Sequence, residues 1–195
     1  MSLSRDDEVD QYVKAYKSEQ YRMGVRRKAD VTRILSGFAR GETLLDVGTG
    51  RGETLQIADS FGLLPHGTEV VPYLLNSRVT KAYAHMLPFE DGSFDHVTCF
   101  DVLEHLTEPD IRPALREMLR VARKTVTVSA SELSDIRRDP ETGKMRELHI
   151  TKRPKSAWLS VIRECWGPRA SDFGTAGRSP AFRVVKYACE LAYCG

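Results

Sequence analysis

The segment LLDVGTGRGETL, residues 44–55, constrains the fold more than any other part of the chain. An apolar run ends at an aspartate, and Gly48, Gly50 and Gly52 then follow at every second position. Glycine weakens a strand and costs backbone entropy, so its repetition indicates that an exposed main chain is needed here. The pattern predicts a buried strand, a glycine turn and a helix start, with backbone N–H groups directed at a ligand.

The order of elements along the chain predicts an α/β fold. Strands are predicted at 43–47, 66–71, 96–103, 125–130 and within 182–191, and helices at 6–19, 25–39, 53–62, 71–83, 110–122 and 156–165. Strands that alternate with helices form βαβ units, so we expect a parallel sheet. The polar stretch 134–147 is predicted to be a loop or a short hairpin around Thr142 and Gly143.

The glycine turn does not match the common phosphate-binding motifs. The dinucleotide motif GxGxxG would place its third glycine at position 53, which is Glu53, and the P-loop sequence GK[ST] is absent. The carboxylates of Glu53 and Asp46 would also repel a phosphate. The turn therefore suits a ligand with a zwitterionic or cationic end better than a pyrophosphate.

A second candidate feature is Glu69, which ends the next predicted strand, 23 positions after Asp46. A carboxylate at this place can accept hydrogen bonds from both hydroxyls of a ribose. Val70 and Val71 would then flank the adenine attached to that ribose. The alternative is that Glu69 is an ordinary surface residue at a strand end.

The segment AHMLPFEDGSFDHVTCFDVLEHL, residues 84–106, completes a set of three motifs. Leu87-Pro88-Phe89, Asp91 and Ser93-Phe94-Asp95 precede a strand that leads into Val102-Leu103-Glu104-His105. With the glycine turn and Glu69, this order resembles the class I S-adenosylmethionine-dependent methyltransferases, especially their small-molecule branch (methyltransferase type 11-like). The resemblance covers residues 41–130. It implies a Rossmann-like, seven-stranded, mostly parallel sheet with helices on both faces and an antiparallel last strand.

The resemblance also implies a cofactor, S-adenosyl-L-methionine, and the residues that would bind it. Position by position, these are Asp46, Gly48, Thr49, Gly50 and Arg51 at the methionine end, Asp101 near the sulfonium, Glu69 at the ribose, and Val70, His85 and Met86 around the adenine. Many relatives have an aspartate two positions before the residue that matches His85, whereas this chain has Tyr83.

Two histidines are predicted to be catalytic residues on the acceptor side. His105 follows the fourth motif strand at the rim where ligands bind in open α/β sheets, unless the backbone alone satisfies it. His149 lies in RELHITKRPKSAW, which resembles the H-[IV]-x-x-x-P-x-S-x-W pattern of methyltransferases associated with glycan assembly. His149 either acts as a general base or only holds its loop against the following helix.

Basic residues in the same region are candidates for binding an anionic acceptor, such as a uronic acid or a phosphate-bearing sugar. They are Arg137, Arg138, Lys152, Arg153 and Lys155. The alternative is a solvated charged surface. Residues 41–136 carry 8 Lys and Arg against 15 Asp and Glu, a net charge of −7, whereas residues 137–195 carry 12 against 6, a net charge of +6. The acidic middle suits a cationic cofactor.

We expect a single methyltransferase domain over residues 1–195 with three parts. Residues 1–40 would form an N-terminal helical lid, residues 41–130 the cofactor-binding core, and residues 131–195 the substrate side. Tyr12 and Tyr16 stand one helical turn apart and either cover the cofactor or pack in the core. The oligomeric state, monomer or homodimer, is left open.

Several classes of protein are disfavoured by composition. No apolar run approaches the roughly 18 residues of a membrane helix, and the N-terminus shows no apolar signal region. The four cysteines lack CxxC spacing, which predicts reduced thiols in a cytoplasmic protein. The five histidines show no HxxxH or HExxH pairing, so no metal site is predicted.

The sequence thus predicts methyl transfer from S-adenosylmethionine to an oxygen or nitrogen of a small molecule. A nucleic-acid or protein methyltransferase is one alternative, and the basic flanks keep RNA open as an acceptor. The tetrapeptide [DN]PP[YF], which orients a planar amine, is absent after the fourth strand, where the chain reads Asp101-Val102-Leu103-Glu104. A cofactor-binding module without catalysis is the other alternative.

Overall fold

The computed structural model describes residues 5–17, 22–138, 142–176 and 178–186. Its strands are β1 (Thr43–Val47), β2 (Leu64–Glu69), β3 (Val79–Lys81), β4 (Phe94–Phe100), β5 (Ala122–Ser129), β6 (Ile136–Arg138), β7 (Met145–Glu147), β8 (Ser171–Ala176) and β9 (Ser179–Val185). Its α-helices are α1 (Arg5–Tyr16), α2 (Val25–Leu35), α3 (Glu53–Ser60), α4 (Glu108–Val121) and α5 (Lys155–Trp166). Short 3-10 turns span Pro72–Leu74 and Leu103–His105.

Seven strands form one sheet in the order β3-β2-β1-β4-β5-β9-β8. Strands β1 to β5 are parallel to one another, and β9 pairs antiparallel with both β5 and β8. Strands β6 and β7 form a separate antiparallel pair, so the short hairpin predicted within 134–147 is present. This architecture confirms the predicted Rossmann-like sheet with an antiparallel last strand.

The core lies in two layers, one on each face of the sheet. Successive side chains of a strand point to opposite faces, and β1 shows this at Leu44 and Leu45. Leu44 packs with Val31 of α2 and Ala58 of α3, whereas Leu45 belongs to the larger cluster that includes α4 and α5. Both leucines are fully buried. Helices therefore cover both faces, as predicted.

The helix predicted at 71–83 is wrong, because only the 3-10 turn Pro72–Leu74 and the strand β3 form there. The Asn76 side chain accepts a hydrogen bond from the Arg78 N–H at 2.9 Å, which turns the chain out of a helical path. Val79 then pairs with Gly67 of β2 and is buried. Packing onto the sheet edge outweighs the local helical pattern.

The last two strands were predicted only in part. The closing strand expected within 182–191 is β9, which starts earlier, while residues 187–195 lie outside the described part of the chain. Strand β8 was not predicted, because most of its side chains are exposed and it lacks an apolar alternation. None of the described helices is long and apolar enough to cross a membrane.

The Leu-Pro-Phe motif is fixed to α4 by Arg120. The guanidinium donates to the carbonyl oxygens of Leu87 at 3.1 Å and Phe89 at 2.7 Å, and it pairs with Asp91 at 2.8 Å. Glu117 accepts the Leu87 N–H at 2.9 Å and pairs with Arg120. The motif thus holds a loop against a helix.

We expect Arg120→Lys to lower the free energy of unfolding by about 1 to 3 kcal/mol, because a lysine ammonium cannot reproduce the forked set of contacts. Urea denaturation measures the change. Arg116→Lys is the matched control, since Arg116 is exposed on the same helix and its replacement should have little effect. Equal losses in the two variants would show that the fork does not stabilise the loop.

Candidate active site

A cavity of about 700 Å³ lies where β1, β2 and β4 end, at the carboxyl edge of the sheet. Side chains from α1, α2 and the segment around β6 complete its wall. Most of the residues predicted from the sequence line it, namely Asp46, Gly48, Thr49, Gly50, Arg51, Glu69, Val70, Asp101, His105 and His149. The topology thus gathers at one edge residues that are spread over about a hundred positions of the chain.

The glycine turn requires glycine at two positions. Gly48 and Gly50 have positive φ angles of 72° and 55°, which other residues rarely adopt. A Cβ at Gly48 would lie 2.5 Å from Cγ2 of Val102, and one at Gly50 would overlap the Tyr16 hydroxyl. Both the backbone conformation and the available space therefore exclude a side chain, which leaves bare main chain in the cavity wall.

Four N–H groups of this turn bond within the protein, so the prediction that they are directed at a ligand is wrong for these four. The N–H groups of Gly48 and Thr49 both donate to the Thr68 carbonyl oxygen at 2.9 Å. The Gly50 N–H donates to Oε2 of Glu69 at 2.9 Å, and the Gly52 N–H donates to the Thr49 carbonyl oxygen at 3.0 Å. The turn thus offers a close approach for a ligand, and its own donors stabilise the fold.

Glu69 is held in place by three backbone groups. Its Oε1 accepts the N–H groups of Val70 at 2.7 Å and Val71 at 3.2 Å, while Oε2 accepts that of Gly50. The residue is 5% exposed, which excludes the alternative of a surface glutamate. Burial raises the pKa of the carboxyl, although the three N–H groups act in the opposite direction.

Asp46 is the second buried carboxylate of the cavity wall. Its Oδ1 accepts a hydrogen bond from the Thr98 hydroxyl at 2.7 Å, which ties β1 to β4. Burial raises the pKa of Asp46 to about 6, against the hydrogen bond from Thr98. The side chain is therefore sensitive to any positive charge that enters the cavity.

Asp101 takes a positive φ of 55° immediately after β4, which is unusual for a residue other than glycine. Its Oδ1 accepts the Ser129 hydroxyl at 3.0 Å, and its Oδ2 pairs with Arg27 of α2. Arg27 also lines the cavity, and sequence reasoning missed it. An arginine in an amphipathic helix gives no local signal that it pairs with a distant carboxylate.

His85 and Met86 do not line the cavity, in contrast to the other predicted residues. The Met86 N–H donates to the Tyr83 carbonyl oxygen at 3.0 Å, so the chain turns here and leaves Met86 62% exposed. The His85 ring stacks beside that of Tyr83, with 5.5 Å between the ring centroids. Tyr83 and Ala84 form this part of the wall instead.

His105 and His149 are brought together although 44 positions separate them in the chain. Their ring centroids are 4.8 Å apart, and both rings line the cavity. Nδ1 of His105 lies 2.9 Å from the Leu148 carbonyl oxygen, and Nδ1 of His149 lies 2.5 Å from that of Leu133. Nδ1 therefore donates in each ring, and Nε2 is the nitrogen left to meet a ligand.

Burial has strong effects on the groups beside this histidine pair. It lowers the pKa of His105 to about 4, so the ring is neutral at neutral pH. Glu104, the residue before it, is fully buried, and burial raises the pKa of its carboxyl well above the usual range. Its Oε1 accepts the Ser131 N–H at 2.9 Å.

The five basic residues considered for an anionic acceptor are mostly engaged elsewhere. Lys152 pairs with Glu147, Arg153 with Glu108 and Lys155 with Asp172, whereas Arg138 is exposed on β6. Arg137 alone among the five lines the cavity, with Nε 2.5 Å from Oδ1 of Asp135. The solvated alternative therefore describes most of this set.

Helix α1 lies over one side of the cavity. Tyr12 and Tyr16 both line it, and the Tyr12 ring meets His105 edge to face, with 5.2 Å between the ring centroids. Arg51 donates to the Tyr16 carbonyl oxygen at 2.5 Å, and the Tyr73 hydroxyl donates to that of Val13 at 2.8 Å. These contacts join α1 to the glycine turn and to the chain after β2.

This chain matches one family model, several curated proteins and several solved structures. Residues 45–129 match the family model described as "Methyltransferase domain". The matched segment is less than half of the chain, and over this segment the chain is similar to that family. The resemblance predicted from the three motifs is thereby confirmed.

Curated relatives match this chain over only part of their length. The chain is 34% identical over 113 residues to demethylmenaquinone methyltransferase of Staphylococcus aureus, a match that covers 57% of this chain and 46% of that protein. It is 30% identical over 101 residues to phosphoethanolamine N-methyltransferase 2 of Caenorhabditis elegans, which covers 45% and 23%. The chain thus spans less than half the length of these relatives.

Two solved structures share the fold over most of the chain. The 1,6-didemethyltoxoflavin-N1-methyltransferase of Burkholderia thailandensis, solved with S-adenosylhomocysteine, has a TM-score of 0.66 at 14% identity and covers 95% of this chain and 92% of its own. The magnesium protoporphyrin IX methyltransferase of Synechocystis, solved with S-adenosylmethionine, has a TM-score of 0.66 at 15% identity, with 95% and 99% covered. At these identities the likeness establishes the fold alone.

We expect Gly48→Ala to destabilise the protein more than Gly92→Ala. Both glycines have positive φ, so each substitution should cost roughly 1 to 2 kcal/mol from backbone strain. A Cβ at Gly48 also overlaps Val102, whereas nothing lies within 4 Å of one at Gly92. Overpacking should add about 1 to 3 kcal/mol at Gly48, measured by urea denaturation. Equal losses would mean that the turn can move away from Val102.

Proposed function

We propose that this protein transfers a methyl group from S-adenosylmethionine to an oxygen or nitrogen of a small molecule. The observation that carries the proposal is the hydrogen bond from the Gly50 N–H to Glu69, at the ends of two neighbouring strands. It places a turn without side chains beside a fixed, buried carboxylate. That pair suits a ligand that joins an amino-acid end to a ribose.

The residues of the cavity fit such a cofactor. Oε2 of Glu69 accepts one backbone N–H, so it can accept a second hydrogen bond from a ribose hydroxyl. Bare main chain at Gly48 and Gly50 admits the methionine end, and the Asp46 carboxylate lies near enough to the turn to favour a positive charge there. Val70, Tyr83 and Ala84 supply the wall on the adenine side.

Catalysis of this kind depends mainly on position. The cofactor supplies a methyl group that is already activated on a positive sulfonium. The protein has to hold the acceptor atom about 3 Å from that methyl, on the side opposite the sulfur. We propose that His105 and His149 line the acceptor side, where a neutral Nε2 can take a proton from the acceptor.

The acceptor class that we favour is an anionic sugar or glycan precursor. Six arginines contribute to the cavity wall, namely Arg22, Arg26, Arg27, Arg51, Arg137 and Arg178. Arginine binds carboxylates and phosphates through paired hydrogen bonds. Arg137 lies on β6 and lines the same cavity as the histidine pair, so it is the arginine that we assign to the acceptor.

The proposal includes the predicted division of the chain into three parts and the predicted cytoplasmic location of the protein. Residues 1–40 would act as a lid, which Tyr12 and Tyr16 support because both line the cavity. Residues 41–130 would bind the cofactor and residues 131–195 the acceptor. A cytoplasmic location is supported by the free thiols of Cys99 and Cys165.

S-Adenosylhomocysteine should raise the melting temperature, because a ligand that binds only the folded state adds about 2.7 kcal/mol at 100 times its dissociation constant. Glu69→Gln should remove most of this ligand-induced shift, since the amide cannot accept hydrogen bonds with both atoms. Differential scanning fluorimetry with and without the ligand separates this loss from any change in the free protein. Glu90→Gln, at an exposed position, should keep the full shift. An undiminished shift in Glu69→Gln would refute the ribose assignment.

Methyl transfer from labelled S-adenosylmethionine should be faster to glucuronic acid than to glucose, because the arginines favour an anion. Arg137→Ala should raise the KM for the anionic acceptor severalfold and leave the KM for the cofactor unchanged. Arg138→Ala is the matched control, since Arg138 follows Arg137 on β6, is exposed and is absent from the cavity wall. Equal transfer to both sugars, or equal effects of the two variants, would exclude the anionic class.

A further inference from the structure

The buried carboxyl group of Glu104 stands beside the histidine pair and is only half used by the protein. Glu104 is fully buried, and Oε1 accepts the Ser131 N–H at 2.9 Å. Its other oxygen, Oε2, is also buried and has no hydrogen-bond partner. A buried carboxylate oxygen without a partner is costly, so the site calls for a group that binds it.

The two histidines each bring a nitrogen atom close to the Glu104 carboxyl group. One ligand atom from each of Glu104, His105 and His149 lies within 4.8 Å of the other two. Nδ1 of both rings faces a backbone carbonyl oxygen, so Nε2 is the nitrogen left for another partner. Histidines that bind metals are held in this way, with the second nitrogen donating to a carbonyl or carboxylate.

We propose that Glu104, His105 and His149 form a site for one divalent cation at the rim of the cavity. Two neutral imidazoles and one carboxylate are a common ligand set for such ions, and they leave coordination positions open. Ligand atoms around a cation are roughly 3 to 3.5 Å apart at bond lengths near 2.1 Å, so binding draws the three side chains closer together.

The sequence prediction of no metal site considered only histidines that are close in the chain. His149 reaches His105 through the loop that follows the β6–β7 hairpin, where the His105 ring meets the Leu148 carbonyl oxygen. The Thr151 N–H donates to the Glu104 carbonyl oxygen at 3.0 Å and fixes the same junction. Long-range packing, which no spacing rule records, assembles the ligand set.

The site also defines how an acceptor would be held, and this part rests on the proposed function. His105 and His149 line the same cavity as Glu69 and the glycine turn. A cation there would bind an acceptor oxygen in its open coordination positions, and it would activate that oxygen in place of the histidines, because both Nε2 atoms would then be ligands. The acceptor class then becomes an oxygen donor, such as a sugar hydroxyl beside a carboxylate.

Mn²⁺ is the probe of choice, because as a hard ion it binds carboxylate oxygens and the cysteine thiols compete for it weakly. Electron paramagnetic resonance of free Mn²⁺, titrated with the full chain, should show one bound ion per chain. Glu104→Gln and His149→Gln should each weaken binding at least tenfold, as expected when a metal's ligand shell is broken. His66→Gln is the control, since His66 contacts Thr80 far from this cluster and should bind as the wild type does.

Circular dichroism of each variant establishes that it is folded before its affinity is compared, and Glu104→Gln keeps an oxygen for the Ser131 N–H. No bound Mn²⁺ in the wild type, or wild-type affinity for Mn²⁺ in both Glu104→Gln and His149→Gln, would overturn the proposal. S-Adenosylhomocysteine binding measured on the same samples separates the two ideas. Ligand binding without Mn²⁺ binding defeats the metal site alone, and the reverse defeats the methyltransferase function alone.

Discussion

The hydrogen bond from the Gly50 N–H to the Glu69 carboxylate is the contact on which the cavity depends. It joins the turn after β1 to the end of β2, whose register pairs Asp46 with Gly67. A Cβ at Gly67 would lie 2.6 Å from Cγ2 of Thr49, so this neighbour of the turn must also be glycine. Small residues on both strands therefore let the turn fold back onto Glu69, and the carboxylate in turn fixes the wall of the cavity.

This arrangement has a cost in stability. Asp46, Glu69 and Glu104 are all buried, and burial raises the pKa of each carboxyl. A carboxyl whose pKa is higher in the folded state than in the unfolded state destabilises the fold once the pH exceeds its unfolded value. The loss grows up to the folded pKa, which for Asp46 is about 6. Binding a positively charged ligand would offset it, which links stability to occupancy of the site.

The sequence predicts the features that arise from short segments. The strand at 43–47, the glycine turn and the helix after it follow from local patterns, and the three motifs indicate a similarity to a family whose sheet order this chain shares. The helix expected at 71–83 fails because Val79 pairs with β2, a contact that the local pattern does not contain. Strand β8 escapes notice because its side chains are mostly exposed.

The chemistry of the site is predicted less well than its place in the fold. The motifs predict the glycine turn and the Glu69 carboxylate. They do not predict that Thr68 and Glu69 accept hydrogen bonds from the N–H groups of the turn. The orientation of Tyr83 towards the cavity and of Met86 away from it depends on one turn hydrogen bond. These hydrogen bonds and orientations depend on contacts between elements that are distant in the chain, and one sequence carries little information about such contacts.

The pairing of Arg27 with Asp101 has a practical consequence for work on this protein. Arg27 precedes the matched segment 45–129, and it also donates to the Ser179 hydroxyl at 3.3 Å, on a strand that follows that segment. An expressed fragment limited to residues 45–129 would keep the glycine turn and Glu69. It would remove Arg27, the ion-pair partner of Asp101, and would expose the cavity to water on two sides. Boundaries for recombinant work should follow the walls of the chamber and retain both flanks.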